Sequence, residues 1–218
     1  MAGRMAKLAK ETIQKLAVLR ALTLWRKGAY GPVCLHKTMF AADNNNPHKR
    51  LFTFKKYYLG QYSTEVSNAL NSLRASGRLQ IAYDGPAERL KAVVSPDLEK
   101  KIRKLFEAAF PQWEKELRKV FREWGYLSND KILKKAHEDL TYKESEHDQV
   151  IFESKLPATI EVPDLSEATA ERLTDLVDER FVSFLRGRLL KAVKVPAKAS
   201  DWRRLYFGET PEKGKAAL

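Results

Sequence analysis

Between Glu11 and Lys27 the segment ETIQKLAVLRALTLWRK is apolar around almost the whole circumference of a helix from Leu16 to Trp25. Such a pattern predicts a central, buried helix. Gly28 and Gly31-Pro32 are expected to end it, and a short second helix is predicted over Leu35 to Ala42, with Leu35, Met39 and Phe40 as its apolar members. Asp43-Asn44-Asn45-Asn46-Pro47 reads as a loop. From Leu51 to Val94 the pattern becomes strand, helix, hairpin. LFTFKKYYL is the strand, alternating in part through Phe52, Phe54 and Tyr58. Ser63 or Thr64 can cap the helix that follows, Val66, Ala69, Leu70 and Leu73 give it an apolar face, and Gly77 closes it. Arg78 to Tyr83 and Glu88 to Val94 then alternate around the turn Asp84-Gly85-Pro86. A helix followed by a two-stranded wing is the ending of a winged helix-turn-helix.

The second half is helical. Ser95-Pro96-Asp97 is a helix start, with Leu98, Ile102, Leu105, Phe106, Ala109 and Phe110 lining one face. Pro111 interrupts, and a second stripe runs through Trp113, Leu117, Val120, Phe121 and Trp124. A further helix is expected from Asn129 to Leu140, capped by Ser128. Residues 141–165 form an acidic loop with brief extended pieces at Val150 to Phe152 and Thr159 to Val162. A long last helix is expected from Glu167 to Val193, its acids leading and its bases trailing as the helix dipole favours, and its broad apolar face predicts a homodimer. The fold class expected is thus mainly α with a small β wing. A basic winged helix-turn-helix occupies residues 1–95, a helical domain residues 96–195, and a mobile basic tail residues 196–218, where Trp202, Leu205, Tyr206 and Phe207 could dock.

Charge changes what that N-terminal part is expected to do. The chain carries a net +12 over 218 residues. Residues 1–95 hold 16 Lys and Arg against 5 Asp and Glu, residues 96–165 hold 13 against 15, and residues 166–218 hold 11 against 8. Charge added only for solubility would not concentrate this way, whereas a domain that neutralises phosphates would. Elsewhere composition mostly excludes. No apolar run approaches the roughly 20 residues a bilayer requires. The start, MAGRMAKLAK, is expected to lead into an amphipathic helix and lacks the apolar stretch of a secretion signal. The single Cys34 rules out an internal disulfide, and a cytoplasmic location is expected.

The chain offers no nucleophile elbow, phosphate-binding glycine loop or dinucleotide fingerprint, so it is read as non-catalytic. Cys34 and His36 are close in sequence, but Val33 and Leu35 flank the thiol, which reads as buried and structural. His137-Glu138-Asp139 and Glu144 to Asp148 are rich in ligand atoms without a metal-site spacing, and read as a solvated acidic segment. No cofactor or metal is expected. The partner expected is duplex DNA, held mainly by its phosphates, with no membrane partner. Thr64, Ser67, Asn68 and Asn71 are placed on the exposed side of the recognition helix, with Arg74 at its flank. Lys55 and Lys56 on the preceding strand, and Arg78, Arg89 and Lys91 on the wing, are placed to meet backbone phosphates. The alternative is a protein partner, with the positive face matching an acidic surface.

Leu35-His36-Lys37-Thr38-Met39-Phe40, then Phe52 through Val66, then Leu70, Leu73, Gly77 and Leu79, resemble the Panacea family and its phage-associated relatives. In those proteins a Leu-x-Lys-x-x-Phe helix precedes an aromatic strand, a Gly-Pro-Tyr-Ser turn and a helix ending before a glycine. The likeness covers about residues 10–95 and departs at Gln61, where the family usually carries proline. It implies a small winged-helix-like domain of prokaryotes and mobile elements, found among antitoxins and defence-related proteins that act largely by binding a partner protein. A DNA-binding regulator or defence component, and an antitoxin or adaptor, are therefore the two functions expected.

Overall fold

The computed structural model describes residues 5–25, 28–57, 60–84 and 87–178. They fall in one compact unit, Met1–Val182. Its elements in order are β1 (Met5–Ala9), α1 (Lys10–Leu24), β2 (Ala29–Tyr30), α2 (Gly31–Asn44), β3 (Phe54–Tyr57), β4 (Gly60–Tyr62), α3 (Thr64–Ala75), β5 (Leu79–Asp84) and β6 (Ala87–Ala92). There follow α4 (Pro96–Ala109), α5 (Pro111–Trp124), α6 (Asn129–His137), α7 (Leu140–Glu144), β7 (Val150–Phe152), β8 (Thr159–Pro163) and α8 (Glu167–Val177). The chain is mixed, mostly helical with small antiparallel sheets in the strand orders β1-β8, β2-β6-β5 and β4-β3-β7.

The apolar circumference of α1 does make it central. Ile13, Leu16, Ala17, Val18, Leu19, Ala21 and Leu22 are all buried. Two buried polar residues on it are bonded: Gln14 Nε2 donates to the Leu51 carbonyl at 2.7 Å, and Arg20 grips Glu114. The helix has no side-chain N-cap, because the chain enters straight from β1. The Ala158 carbonyl instead accepts from Lys10 N–H at 2.9 Å.

Several boundaries differ from expectation for identifiable reasons. Residues Met5–Ala9, to which no element was assigned from the sequence, are a strand leading into α1, since Ala6 and Leu8 alternate into the core against Val162 and Ile160 of β8. Gly31-Pro32 opens α2 instead of closing α1, the first helical turn being where proline's missing N–H costs nothing. The expected loop at Asp43 begins two residues later, after Asn44. Asp43 is fully buried at the end of α2 and accepts from Leu51 N–H, Phe52 N–H and Trp113 Nε1 at 2.7–3.1 Å, so its carboxylate organises the loop it was expected to join. The strand expected over Leu51 to Leu59 is confined to Phe54–Tyr57 and returns at Gly60 as a hairpin with β4; Tyr58 and Leu59 lie outside the described residues.

Elements on the two sides of residue 95 share their sheets and core. β1 pairs with β8, β3 pairs with β7, and Arg20 on α1 meets Glu114 on α5. The extended pieces expected within residues 141–165 are β7 and β8, with α7 added just before them. Pro111 separates α4 from α5 as expected. Of the last helix, only Glu167–Val177 is described, and its Ala170, Leu173 and Val177 are buried in the unit's own core. The expected continuation to Val193, the homodimer face it would carry and the tail at 196–218 lie outside the described residues. Among the described residues no helix is long and apolar enough to cross a membrane.

Candidate functional site

Of the ten residues expected to meet nucleic acid, nine lie on α3, β6 and β3, and Arg78 lies between α3 and β5. The local sequence defines α3 at both ends. Ser63 Oγ accepts from Val66 N–H at 3.3 Å, and Glu65 in turn receives the Ser63 hydroxyl at 3.0 Å. At the other end Gly77, at φ +70°, lets Arg78 N–H reach the Leu73 carbonyl at 2.8 Å while Gly77 N–H reaches that of Arg74 at 3.1 Å. This pair of bonds is a Schellman closure. Val66, Ala69, Leu70 and Leu73 are buried, which leaves Thr64, Asn68, Asn71 and Arg74 exposed as one stripe at intervals of four and three residues. Asn68 and Asn71 hold both amide donors and acceptors at the centre of that stripe.

Ser67 is not part of it. It is half-buried, 3.2 Å from His36 Nε2 on α2. Because His36 accepts from Ser63 N–H at Nδ1 (3.1 Å), its proton sits on Nε2 and points at Ser67 Oγ. Burial first, and the adjacent Lys37 charge second, push the His36 pKa down to about 3, in keeping with this neutral ring.

On the β5–β6 pair, Gln80 faces Lys91 and Ala82 faces Arg89 across the ladder, so Arg89 and Lys91 share the face opposite Leu79, Ile81 and Leu90. Lys91 is exposed and Arg89 half-buried. Arg78 does not stand clear of the protein. It is half-buried and its Nε donates to the Leu176 carbonyl at 3.4 Å. It also lines a cleft of about 350 Å³ with Lys101 and Arg172, two cations the sequence did not single out. Asp97 shares that cleft and lies 3.8 Å from Lys101. The residues of the turn, Gly85 and Pro86, lie outside the described residues.

The two lysines of β3 separate by the pleat. Lys55 faces out and is exposed. Lys56 turns the other way, donating to the Ser145 carbonyl at 2.7 Å with its ammonium 4.7 Å from the Tyr142 ring centre. Lys56 is thus engaged within the fold.

Beneath this sheet lies a polar cluster that the sequence reading missed. Lys37 is 1% exposed, and its ammonium donates to the Gln61 carbonyl at 2.9 Å. Burial pushes its pKa down to about 7. Gly60 makes room for it: with φ at +100°, a Cβ there would stand 2.9 Å from Lys37 Cε and 2.8 Å from His137 Nε2. Gln61 Nε2 donates to the Ala136 carbonyl at 2.7 Å, tying β4 to α6. Gln61 Oε1 and His137 Nε2 are buried without a hydrogen-bond partner. The only signal in the sequence was a lysine set two residues from both Leu35 and Met39 in an apolar helix.

Cys34 is buried. Among the described residues no group of three or more His, Cys, Asp or Glu is arranged to hold a metal. In the acidic segment, His147 Nδ1 lies 3.2 Å from Asp148, both partly exposed. Comparison with protein-family models, curated proteins and solved structures found no match for this chain.

Proposed function

We propose that this chain is a non-catalytic DNA-binding protein whose N-terminal winged helix holds duplex DNA. The observation that carries the reading is the order α1-β2-α2-α3-β5-β6 with the strands arranged β2-β6-β5, the exposed stripe of α3 leading directly into the β5–β6 pair. A winged helix-turn-helix places its second helix against the groove and its wing against the flanking backbone. On this reading Asn68 and Asn71 read base edges, with Thr64 and Arg74 at the ends of the stripe, while Lys55, Arg89 and Lys91 supply phosphate contacts. The concentration of positive charge in residues 1–95 supports it. The β3–β4 hairpin stands between α2 and α3 as an insertion that braces them. Gel-shift titration of a mixed-sequence duplex tests the reading: wild-type protein shifts it at low salt, and Lys55→Ala with Lys91→Ala weakens the shift for every sequence alike. Absence of a shift at low salt refutes it.

A second reading is favoured by a specific feature of α3. The centre of its exposed stripe, Thr64, Asn68 and Asn71, is uncharged. This suits a protein surface as well as a groove, and the resemblance to the Panacea family points the same way, toward an antitoxin or adaptor. Here Gln61 replaces the proline usual in that family, and its side-chain amide makes the bond to Ala136 that a proline could not. A stoichiometric protein partner that remains bound in high salt, lost on Asn68→Arg, would select this reading over the first.

A further inference from the structure

The cleft lined by α4 and α8 gathers more positive charge than it balances. Arg78, Lys101 and Arg172 come to it from three separate parts of the chain, and Asp97 is the one carboxylate among the described residues that line it. Asp97 belongs to the first turn of α4, where an acid favours the helix start, and stands 3.8 Å from Lys101 with its side chain 84% exposed. So exposed a pair offsets little. Arg78 and Arg172 make no ion pair among the described residues. Three cations less one carboxylate leave two positive charges at the cleft, and like charges brought together repel unless an anion lies between them. Arg78 is also held in place before any ligand arrives. Its N–H closes α3 on the Leu73 carbonyl, its own carbonyl accepts from Val93 N–H, and its Nε donates to the Leu176 carbonyl, which leaves the two Nη nitrogens for another partner. Leu98, Leu173 and Leu176 give the same cleft an apolar wall.

We propose that this cleft binds a phosphate monoester, its phosphate held by Arg78, Lys101 and Arg172 and the carbon skeleton next to it resting on the leucines. A phosphate monoester carries close to two negative charges at neutral pH, which matches the excess in the cleft. Its oxygens accept the parallel N–H bonds that a guanidinium offers as a fork. A phosphodiester inside a nucleic-acid strand carries a single charge and balances the site less well. At about 350 Å³ the cleft has the size of a site for one small group or molecule. A free phosphorylated small molecule and the 5′-phosphate at the end of a nucleic-acid strand present the same chemistry to it. The site is separate from the duplex reading, since Lys101 and Arg172 lie outside residues 1–95 and outside the stripe of α3.

Isothermal titration calorimetry of the full chain at low salt, with phenyl phosphate, inorganic phosphate and phenol as probes, tests it. Phenyl phosphate binds one site per chain and more tightly than inorganic phosphate, while phenol alone does not bind. Lys101→Ala and Arg172→Ala each weaken phenyl phosphate about tenfold, and Asp97→Asn tightens it. Lys155→Ala, at an exposed lysine of a different cleft, leaves it unchanged. Lys101 and Arg172 are exposed, so both variants keep the wild-type urea unfolding midpoint to within a few tenths of a molar. Oligothymidine with a 5′-phosphate or a 5′-hydroxyl separates the two sources. A gain in affinity from the 5′-phosphate that Arg172→Ala abolishes assigns the site to a strand end, and equal binding of the two oligomers assigns it to a free small molecule. The proposal is overturned if phenyl phosphate shows no saturable binding, or binds Lys101→Ala and Arg172→Ala as tightly as wild type. Equal weakening by Lys155→Ala also overturns it, because the anion would then be drawn to the basic surface in general. Duplex binding in the absence of phenyl phosphate binding leaves the duplex reading standing, and the reverse result leaves the cleft standing.

Discussion

His36 on α2 holds Ser67 on α3 at 3.2 Å through Nε2 while accepting from the α3 cap residue through Nδ1. One neutral imidazole therefore fixes the exposed stripe of α3 relative to the helix behind it. Protonation would destroy the Nδ1 acceptor. In the unfolded chain this histidine takes up a proton near pH 6.5, but in the fold not until about 3. The native state thus binds fewer protons than the unfolded state across that window. The contribution is complete above about pH 6.5 and is lost as the pH falls toward 3, with a slope of up to about 1.4 kcal/mol per pH unit. Urea unfolding of wild type and His36→Gln between pH 7 and pH 4 is expected to show a shallower acid loss in the variant.

Lys37 works in the opposite pH range. Its amine loses its proton near pH 7 in the fold and near 10.5 when unfolded, so the unfolded state again binds more protons and stability rises with pH between those values. Lys37→Met removes that rise, measured by chemical denaturation at pH 7 and pH 9. Gly60→Ala, forced into the same space at positive φ, is expected to cost more than about 1 kcal/mol.

Arg20 and Glu114 form a two-pronged pair at 2.7 and 3.2 Å, with both side chains almost completely buried, and Arg118 adds a bond to the same carboxylate at 2.6 Å. Removing Glu114 leaves Arg20 a buried charge alone, and removing Arg20 leaves the buried Glu114 with only the half-exposed Arg118. Arg20→Ala is expected to destabilise by about 3–5 kcal/mol, whereas Arg20→Met combined with Glu114→Leu is expected to lie close to wild type. Thermal and urea unfolding of Arg20→Met, Glu114→Leu and the double variant check this, and additivity of the single costs would contradict it.

Much of this architecture was legible because it depended on local pattern. The encircling apolar residues of α1, the Ser63 cap, the Gly77 closure and the break at Pro111 each follow from a few adjacent residues. What was not legible depended on residues distant in sequence. The strand β1 exists because β8, some 150 residues later, presents Ile160 and Val162 to it. Ser67 looked exposed by helical spacing, but His36 on another helix claims its hydroxyl. Lys56 and Arg78 looked like free cations until the Ser145 and Leu176 carbonyls were brought to them by the fold. Charge in a sequence marks the side of the molecule to examine, and only the tertiary contacts separate cations that face solvent from cations that brace the protein.

That separation predicts two classes of variant within the expected interface. Lys55→Ala and Lys91→Ala are expected to leave unfolding unchanged within about 0.5 kcal/mol and to weaken nucleic-acid binding uniformly. Lys56→Ala and Arg78→Ala are expected to lower stability as well, since each leaves a carbonyl without its donor. Asn68→Ala and Asn71→Ala should instead alter preference among duplex sequences, read by competition in a selection of randomised sites.

The most direct test of the central claim is the salt dependence of duplex affinity, measured by fluorescence anisotropy from low to physiological ionic strength. If Lys55, Arg89, Lys91 and their neighbours neutralise phosphates, the logarithm of the binding constant falls linearly with the logarithm of salt concentration, and Lys91→Ala lowers the slope by about 1. Absence of binding at low salt, or an affinity that salt leaves unchanged, would contradict the account.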